Sequence, residues 1–470
     1  MMIENLYGRT RKLLTAVTMI TSVAMLAGAA TAEESKLAQV LFNNVTIFDG
    51  KSRKLSPNMN VLVEANMIKT ISKSSISAGE ATVIDGEGRT LMPGMIENHA
   101  HLMLMGPSLP AMESMTTWED FAIHGTKMAE MYLNQGFTTV RDAGGGNAGL
   151  QRAINSGMIS GPRYYPSAAF IGGRGGHADF ANYTAPIGES SNMSRLNMAV
   201  EADGRDEVLK VARNNFRMGA SQLKVMQSGG VVSAFDPWQM DGRTSDEISA
   251  AVEVAEQYGT YVMAHSYKRE AMVAALEAGV KSLEHGFMYD CKIGKLMEKK
   301  GAYITTNLTA FIPGLLDIPA VKNVPASFRK AKTAQLAFED YLDNMRSCPA
   351  KRGFHTDCVG SVESCNKQIH HEQFLNGDFF DNHTALVAMT SVGGEIAAMT
   401  GDFMNPYPDG KLGVIEEGAY ADILLIDGNP LEDLSVIGAH PKWFDAPTPP
   451  DSPVGIVLIM KDGVIHKNTL

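Results

Sequence analysis

Beyond Arg9, Arg11 and Lys12 lysine and arginine do not cluster in this sequence, and the formal net charge is -11. Phosphate binding depends on such clusters, so a nucleic-acid partner is excluded. Cysteine is scarce too: Cys291, Cys348, Cys358 and Cys365 are four among 470 residues and lack CxxC spacing. A structural zinc site built on thiolates is thereby disfavoured. In an oxidising compartment the four would form one or two disulfides, with three pairings open. Beyond the first thirty residues no apolar run suggests a membrane span. The hydrophobic content, 44%, is ordinary for a chain with a large core.

Arg9, Arg11 and Lys12 precede an apolar or small stretch from Leu13 to Gly28, and Ala30-Thr31-Ala32 fits a small-x-small cleavage site. Residues 1–32 therefore read as a secretory signal peptide, which implies a secreted or periplasmic protein with no membrane association after cleavage. An uncleaved anchor would need roughly 20 apolar residues, more than this stretch supplies.

Short runs rich in Val and Ile, broken by turn signals, fill residues 33–92, and the same character returns over 411–470, where Asp462-Gly463 marks a hairpin. Neither part is large enough for a core of its own, so both ends are expected to build one small β-sandwich. Residues 93–410 alternate apolar strands with helices. Strands are expected at Phe137 to Asp142, Arg163 to Ile171, Ser221 to Met226, Tyr261 to His265, Ser282 to His285, Ala302 to Asn307 and Gly353 to Asp357, after one ending at His101. Thr117 caps a helix from Trp118 to Asn134, and Thr244 with Glu247 has capping-box spacing. Eight such units predict an α/β fold, a (β/α)8 TIM-type barrel, with chemistry at the C-terminal ends of the strands and the stretch from Gly172 to Asp203 as a loop over the mouth.

Polar residues fall at those ends. His99 and His101 are two apart and share a face of their strand, half of a metal site. His265, His285 and Asp357 close later strands. Lys224 sits inside Gln-Leu-Lys-Val-Met, where burial would lower its pKa. A neutral amine there could take up carbon dioxide as a metal-bridging carbamate, or the lysine could pair with an acid such as Glu284; spacing alone favours the second. Arg141 and Asp142 read as a structural ion pair, and His355, His370 and His371 as solvated loop residues.

The runs Pro93-Gly-Met-Ile-Glu-Asn-His-Ala-His, Leu223-Lys-Val-Met-Gln-Ser-Gly-Gly, Ala264-His-Ser-Tyr, Leu283-Glu-His-Gly and Gly353-Phe-His-Thr-Asp resemble the amidohydrolase superfamily. Within it the chain is most similar to the imidazolonepropionase-like group, with its prolidase-type dipeptidases and ochratoxin-hydrolysing amidases. The resemblance implies two divalent metal ions, zinc foremost: one held by His99, His101 and Asp357, the other by His265 and His285, with Lys224, carboxylated by carbon dioxide, between them. It also implies that His177 and Tyr267 contact the substrate, Tyr267 at its carboxylate. Where that group usually carries an aspartate two residues before the first histidine, this chain has Glu97.

Amide or peptide hydrolysis by a hydroxide shared between the metals follows, with Asp357 carrying the proton to the leaving nitrogen. The substrate would be a small molecule with a free carboxylate: a dipeptide or an N-acyl amino acid, ochratoxin-like amides included. A mononuclear deaminase or cyclic-amide hydrolase, and a non-catalytic periplasmic binding protein, are the alternatives. Pocket shape, and whether identical chains assemble into a homo-oligomer, stay open.

Overall fold

The computed structural model describes residues 38–470 apart from 78, 106–108 and 234, so the signal-peptide expectation lies outside the described residues. Strands from both ends of the chain share one eight-stranded sheet. Its order is Val464–Asn468, Ile456–Lys461, Ile423–Ile426, Thr90–Pro93, Gln39–Ile47, Ser56–Glu64 and Met67–Ser72, with Thr82–Asp85 also paired to Gln39–Ile47. Thr90–Pro93 is the junction, parallel to Gln39–Ile47 on one side and antiparallel to Ile423–Ile426 on the other. Phe42, Val63, Ile423 and Leu458 belong to one buried cluster, so neither end covers its apolar face alone.

One residue later the chain enters Met95–Ala100, the strand that leads to His101. Gly94 makes the link against the next strand: a Cβ there would lie 2.1 Å from Thr138 Oγ1. Met95–Ala100 starts a parallel three-stranded sheet with Phe137–Asp142 and Arg163–Tyr165. A second parallel sheet runs Ala199–Glu201, Phe170–Gly172, Leu223–Met226, Val262–Ser266, Ser282–His285, Tyr303–Thr305, Arg352–Gly353. Backbone hydrogen bonds join its far end to the first sheet, from Asn98 N–H to Phe354 O at 3.0 Å and from Asp357 N–H to His99 O at 3.0 Å.

The strand expected from Arg163 to Ile171 is broken in two. Pro166 has no N–H to continue the ladder and Ala168 adopts φ +57°, while Ser221 N–H bonds Pro166 O instead, at 2.7 Å. The stretch expected as a mouth loop contains a short strand, Ala199–Glu201, and one turn of helix, Asn192–Arg195. Helices such as Ser245–Gln257 and Arg269–Ala278 bury their apolar faces with the parallel strands in one large core. Disulfides join Cys291 to Cys348 and Cys358 to Cys365. Among the described residues no helix is long and apolar enough to cross a membrane.

Candidate active site

The site is built on buried charge. Arg141 donates to both carboxylate oxygens of Glu284, at 3.0 and 3.1 Å. The expected Arg141–Asp142 ion pair does not form, because neighbours on a strand face opposite sides. Asp142 instead accepts from Gly144 N–H, Gly146 N–H and the Ser167 hydroxyl. Burial opposes ionisation of Glu284, but the Arg141 guanidinium and His99 hold it well below the usual carboxylate range.

Glu284 Oε2 lies 2.6 Å from His99 Nδ1. With that nitrogen committed, His99 directs Nε2 toward Lys224 Nζ at 3.3 Å and Asp357 Oδ1 at 3.4 Å. Glu97 Oε1 accepts from the His99 backbone N–H at 2.8 Å and from that of Thr356 at 3.3 Å, so Glu97 clasps the His99 and Thr356 segments together. Burial pushes Glu97 up to about 8. His101 Nδ1 meets Gly144 O at 2.9 Å and its Nε2 lies 3.2 Å from Asp357 Oδ1.

Asp357 and His285 stand at positive φ, +55° and +69°, an uncommon conformation outside glycine that often marks functional positions. At His285 it allows Glu284 and His285, adjacent in sequence, both to face the site. His285 Nδ1 is 3.1 Å from Asn307 Oδ1 and 3.9 Å from Asp357 Oδ2. Burial resists a charge on Asp357, yet contacts with His101 and His99 hold its carboxyl well below the ordinary value. Burial lowers His285 to about 3 and His265 well below the usual imidazole range, so both rings are neutral. Lys224, also buried, is lowered to about 8.

His265 turns Nε2 to Gly229 O at 3.1 Å, and its ring centre lies 4.5 Å from that of His285. His177 stacks on His265 at 4.2 Å, seated over Gly230, where a Cβ would come within 1.9 Å of the ring. Burial lowers His177 to about 4. Tyr267 packs 4.5 Å from His265 and 5.1 Å from His285, ring centre to ring centre. All eight residues singled out in the sequence thus lie in one connected cluster, with the side chains of Asp357, 29% exposed, and His177, 15%, open to solvent.

Three other histidines differ from expectation. His370 and His371 are buried on the helix Val362–Phe379, bonded to Gln135 Oε1 and His440 O, away from the cluster. His355 is completely buried against His99. One ligand atom from each of His99, His285, His355 and Asp357 falls within 4.8 Å of the others. Neutral imidazoles beside an ionised carboxylate are the donor set that borderline divalent cations prefer, so these residues fit a metal ion. Glu284, Asn307 and Thr305 escaped the sequence reading as site residues. The one signal was a charged residue inside an apolar strand, which demands a buried partner.

A sequence model of the amidohydrolase family matches residues 90–449. Ochratoxinase from Aspergillus niger is 29% identical over 316 residues, 65% of this chain; the match spans 62% of that enzyme's length. A crystal structure of an amidohydrolase superposes with a TM-score of 0.80 at 31% identity, covering 92% of this chain and all of the other. A prolidase complexed with N-methylphosphonate-L-proline gives 0.81 at 29% identity with the same coverage.

Proposed function

Because the chain belongs to the amidohydrolase family, we propose that it is a metal-dependent hydrolase that cleaves the amide bond of dipeptides or N-acyl amino acids with a free carboxylate. The observation that carries this reading is the convergence of His99, His101 and His285 on the Asp357 carboxylate, at 3.4, 3.2 and 3.9 Å. In this reading the two parallel sheets form one closed (β/α)8 barrel, which the Asn98–Phe354 and His99–Asp357 backbone bonds support.

His99, His101 and Asp357 would hold one divalent ion and His265 with His285 a second, zinc in both. When bound, the ions polarise the scissile carbonyl and make a bound water acidic enough to attack near neutral pH. Lys224 would lie between them as a carbamate: burial leaves part of its amine neutral near pH 7 to 8, and that amine adds to carbon dioxide with loss of one proton. Asp357, ionised and partly exposed, takes the proton of the attacking water and delivers it to the leaving nitrogen. His177, neutral by burial, would contact the substrate, and Tyr267 its carboxylate. Two disulfides fit an oxidising compartment, hence export behind a cleaved signal peptide.

The test is elemental analysis of the purified protein together with hydrolysis of Xaa-Pro dipeptides, N-acyl amino acids and ochratoxin-like amides. Two equivalents of metal per chain, with turnover abolished by a strong chelator and restored by zinc, are expected. One equivalent in fully active protein would point to a mononuclear member of the family, and metal binding without turnover of any substrate to a binding protein.

A further inference from the structure

Beside its contacts with Lys224 and Asp357, three others hold His99. Glu97 takes its backbone N–H, Glu284 takes Nδ1, and the ring of His355 lies flat on its face, centroids 3.8 Å and planes 12° apart. A single hydrogen bond weakens steeply only below about 120°, so it leaves the imidazole free to tilt by roughly 30°. A second ring in van der Waals contact removes that freedom.

His355 is itself oriented. Thr305 has one hydroxyl hydrogen and gives it to Glu284 Oε2 at 2.6 Å. Toward His355 Nδ1, 2.8 Å away, it can therefore only accept. Nδ1 carries the hydrogen, and the Nε2 lone pair is buried without a partner. Proximity alone makes His355 a candidate ligand, but the stacking argues otherwise. An imidazole lone pair lies in the ring plane, and an ion in the plane of His99 lies well outside the nearly parallel plane of His355.

We propose that His355 is a positioning residue: through its face it locks the plane of His99 and so raises the affinity of the site for a divalent ion, without binding the ion itself. This rests on the metal-site reading given above. Glu284, Thr305 and His355 would form one outer layer that orients the first ligand, the kind of support whose loss weakens metal binding about 10- to 100-fold.

The experiment is zinc binding by chelator competition on the full chain, with cobalt(II) absorption as a second readout, for wild type, His355→Gln and His355→Phe. Glutamine keeps a donor for Thr305 but no ring; phenylalanine keeps a flat face but no donor. We expect Gln to weaken zinc at least about tenfold and shift the cobalt bands, and Phe to stay near wild type, with metal-free melting temperatures confirming that both fold. Wild-type affinity in the Gln variant, or loss of a whole equivalent in Phe, overturns the proposal. Should neither variant fold, nitrogen NMR of wild type decides. His355 Nε2 keeping the shift of an unligated nitrogen on zinc addition supports the proposal, and a metal-ligated shift overturns it. Wild type that binds no zinc would instead defeat the metal-site reading.

Discussion

Asp357 holds a left-handed backbone, φ +55°, and asparagine tolerates that conformation as well as aspartate does. Asp357→Asn should therefore keep the fold and an oxygen ligand while removing the proton acceptor. Turnover is expected to fall by about 10²- to 10⁴-fold with most of the metal retained; near-normal turnover would mean that another group carries the proton. At Lys224 the expectation differs, since the proposed carbamate would supply an anion with two oxygens there. Lys224→Ala should lose metal and activity together and regain part of both with a short carboxylic acid, whereas Lys224→Arg, permanently charged, should recover nothing. Full activity in the arginine variant would rule out the carbamate. The metal-ligand candidates were legible because strand periodicity and strand ends are local properties: His99 and His101 announce a shared face by spacing alone. His355 was not, because its burial depends on the ring of a residue more than two hundred positions away. Nor was the partner of Arg141, which lies on a strand of the other parallel sheet.

Helix starts were read to the residue where side chains define them. Thr117 and Thr244 both cap their helices in complete capping boxes, the first closed by Asp120 and the second by Glu247. Breaks inside strands were read less well, as at Pro166 and Ala168, since the broken ladder is replaced by partners distant in sequence. The helix Val362–Phe379 carries an element-scale prediction. Its Glu372 accepts from the backbone N–H groups of Leu308 and Thr309, at 2.7 and 2.9 Å, just beyond Asn307. Burial pushes Glu372 up to about 7 from 4.5, so between those values the folded chain holds a proton that the unfolded chain releases. Stability contributed by this residue therefore falls as pH rises from about 4.5 to 7, and is level above that. Denaturant unfolding of wild type and Glu372→Gln should give stabilities whose difference follows a one-proton slope across that window. Parallel pH curves for the two proteins would show that Glu372 is ionised in the fold throughout.

Across the whole molecule, Arg163 ties the parallel strands to the terminal sheet by bonding Asp422 at 2.9 Å and Asp462 at 2.6 Å. The two disulfides divide their work. Cys291–Cys348 closes a separation of 57 residues and Cys358–Cys365 one of 7, so chain entropy assigns them about 4 and about 2.5 kcal/mol. Replacing the first pair by alanine should lower the melting temperature more and leave turnover nearly intact. Replacing the second, which adjoins Asp357, should cost turnover more; the reverse pattern would show that the second bridge does not position that carboxylate. A different consequence follows from the junction strand. Thr90, just ahead of the strand to His99, donates its hydroxyl to Gly428 O, 338 positions later, and Thr90–Pro93 takes its second neighbour from Ile423–Ile426. At the usual pace of about 5–20 residues per second, the ribosome needs roughly twenty to seventy seconds to supply that neighbour after Thr90 has emerged. Until then the junction strand that leads to His99 lacks one of the two neighbours it has in the fold. The timetable of translation thus makes the closing of this edge, and the full seating of the strand that carries His99, a late event in folding.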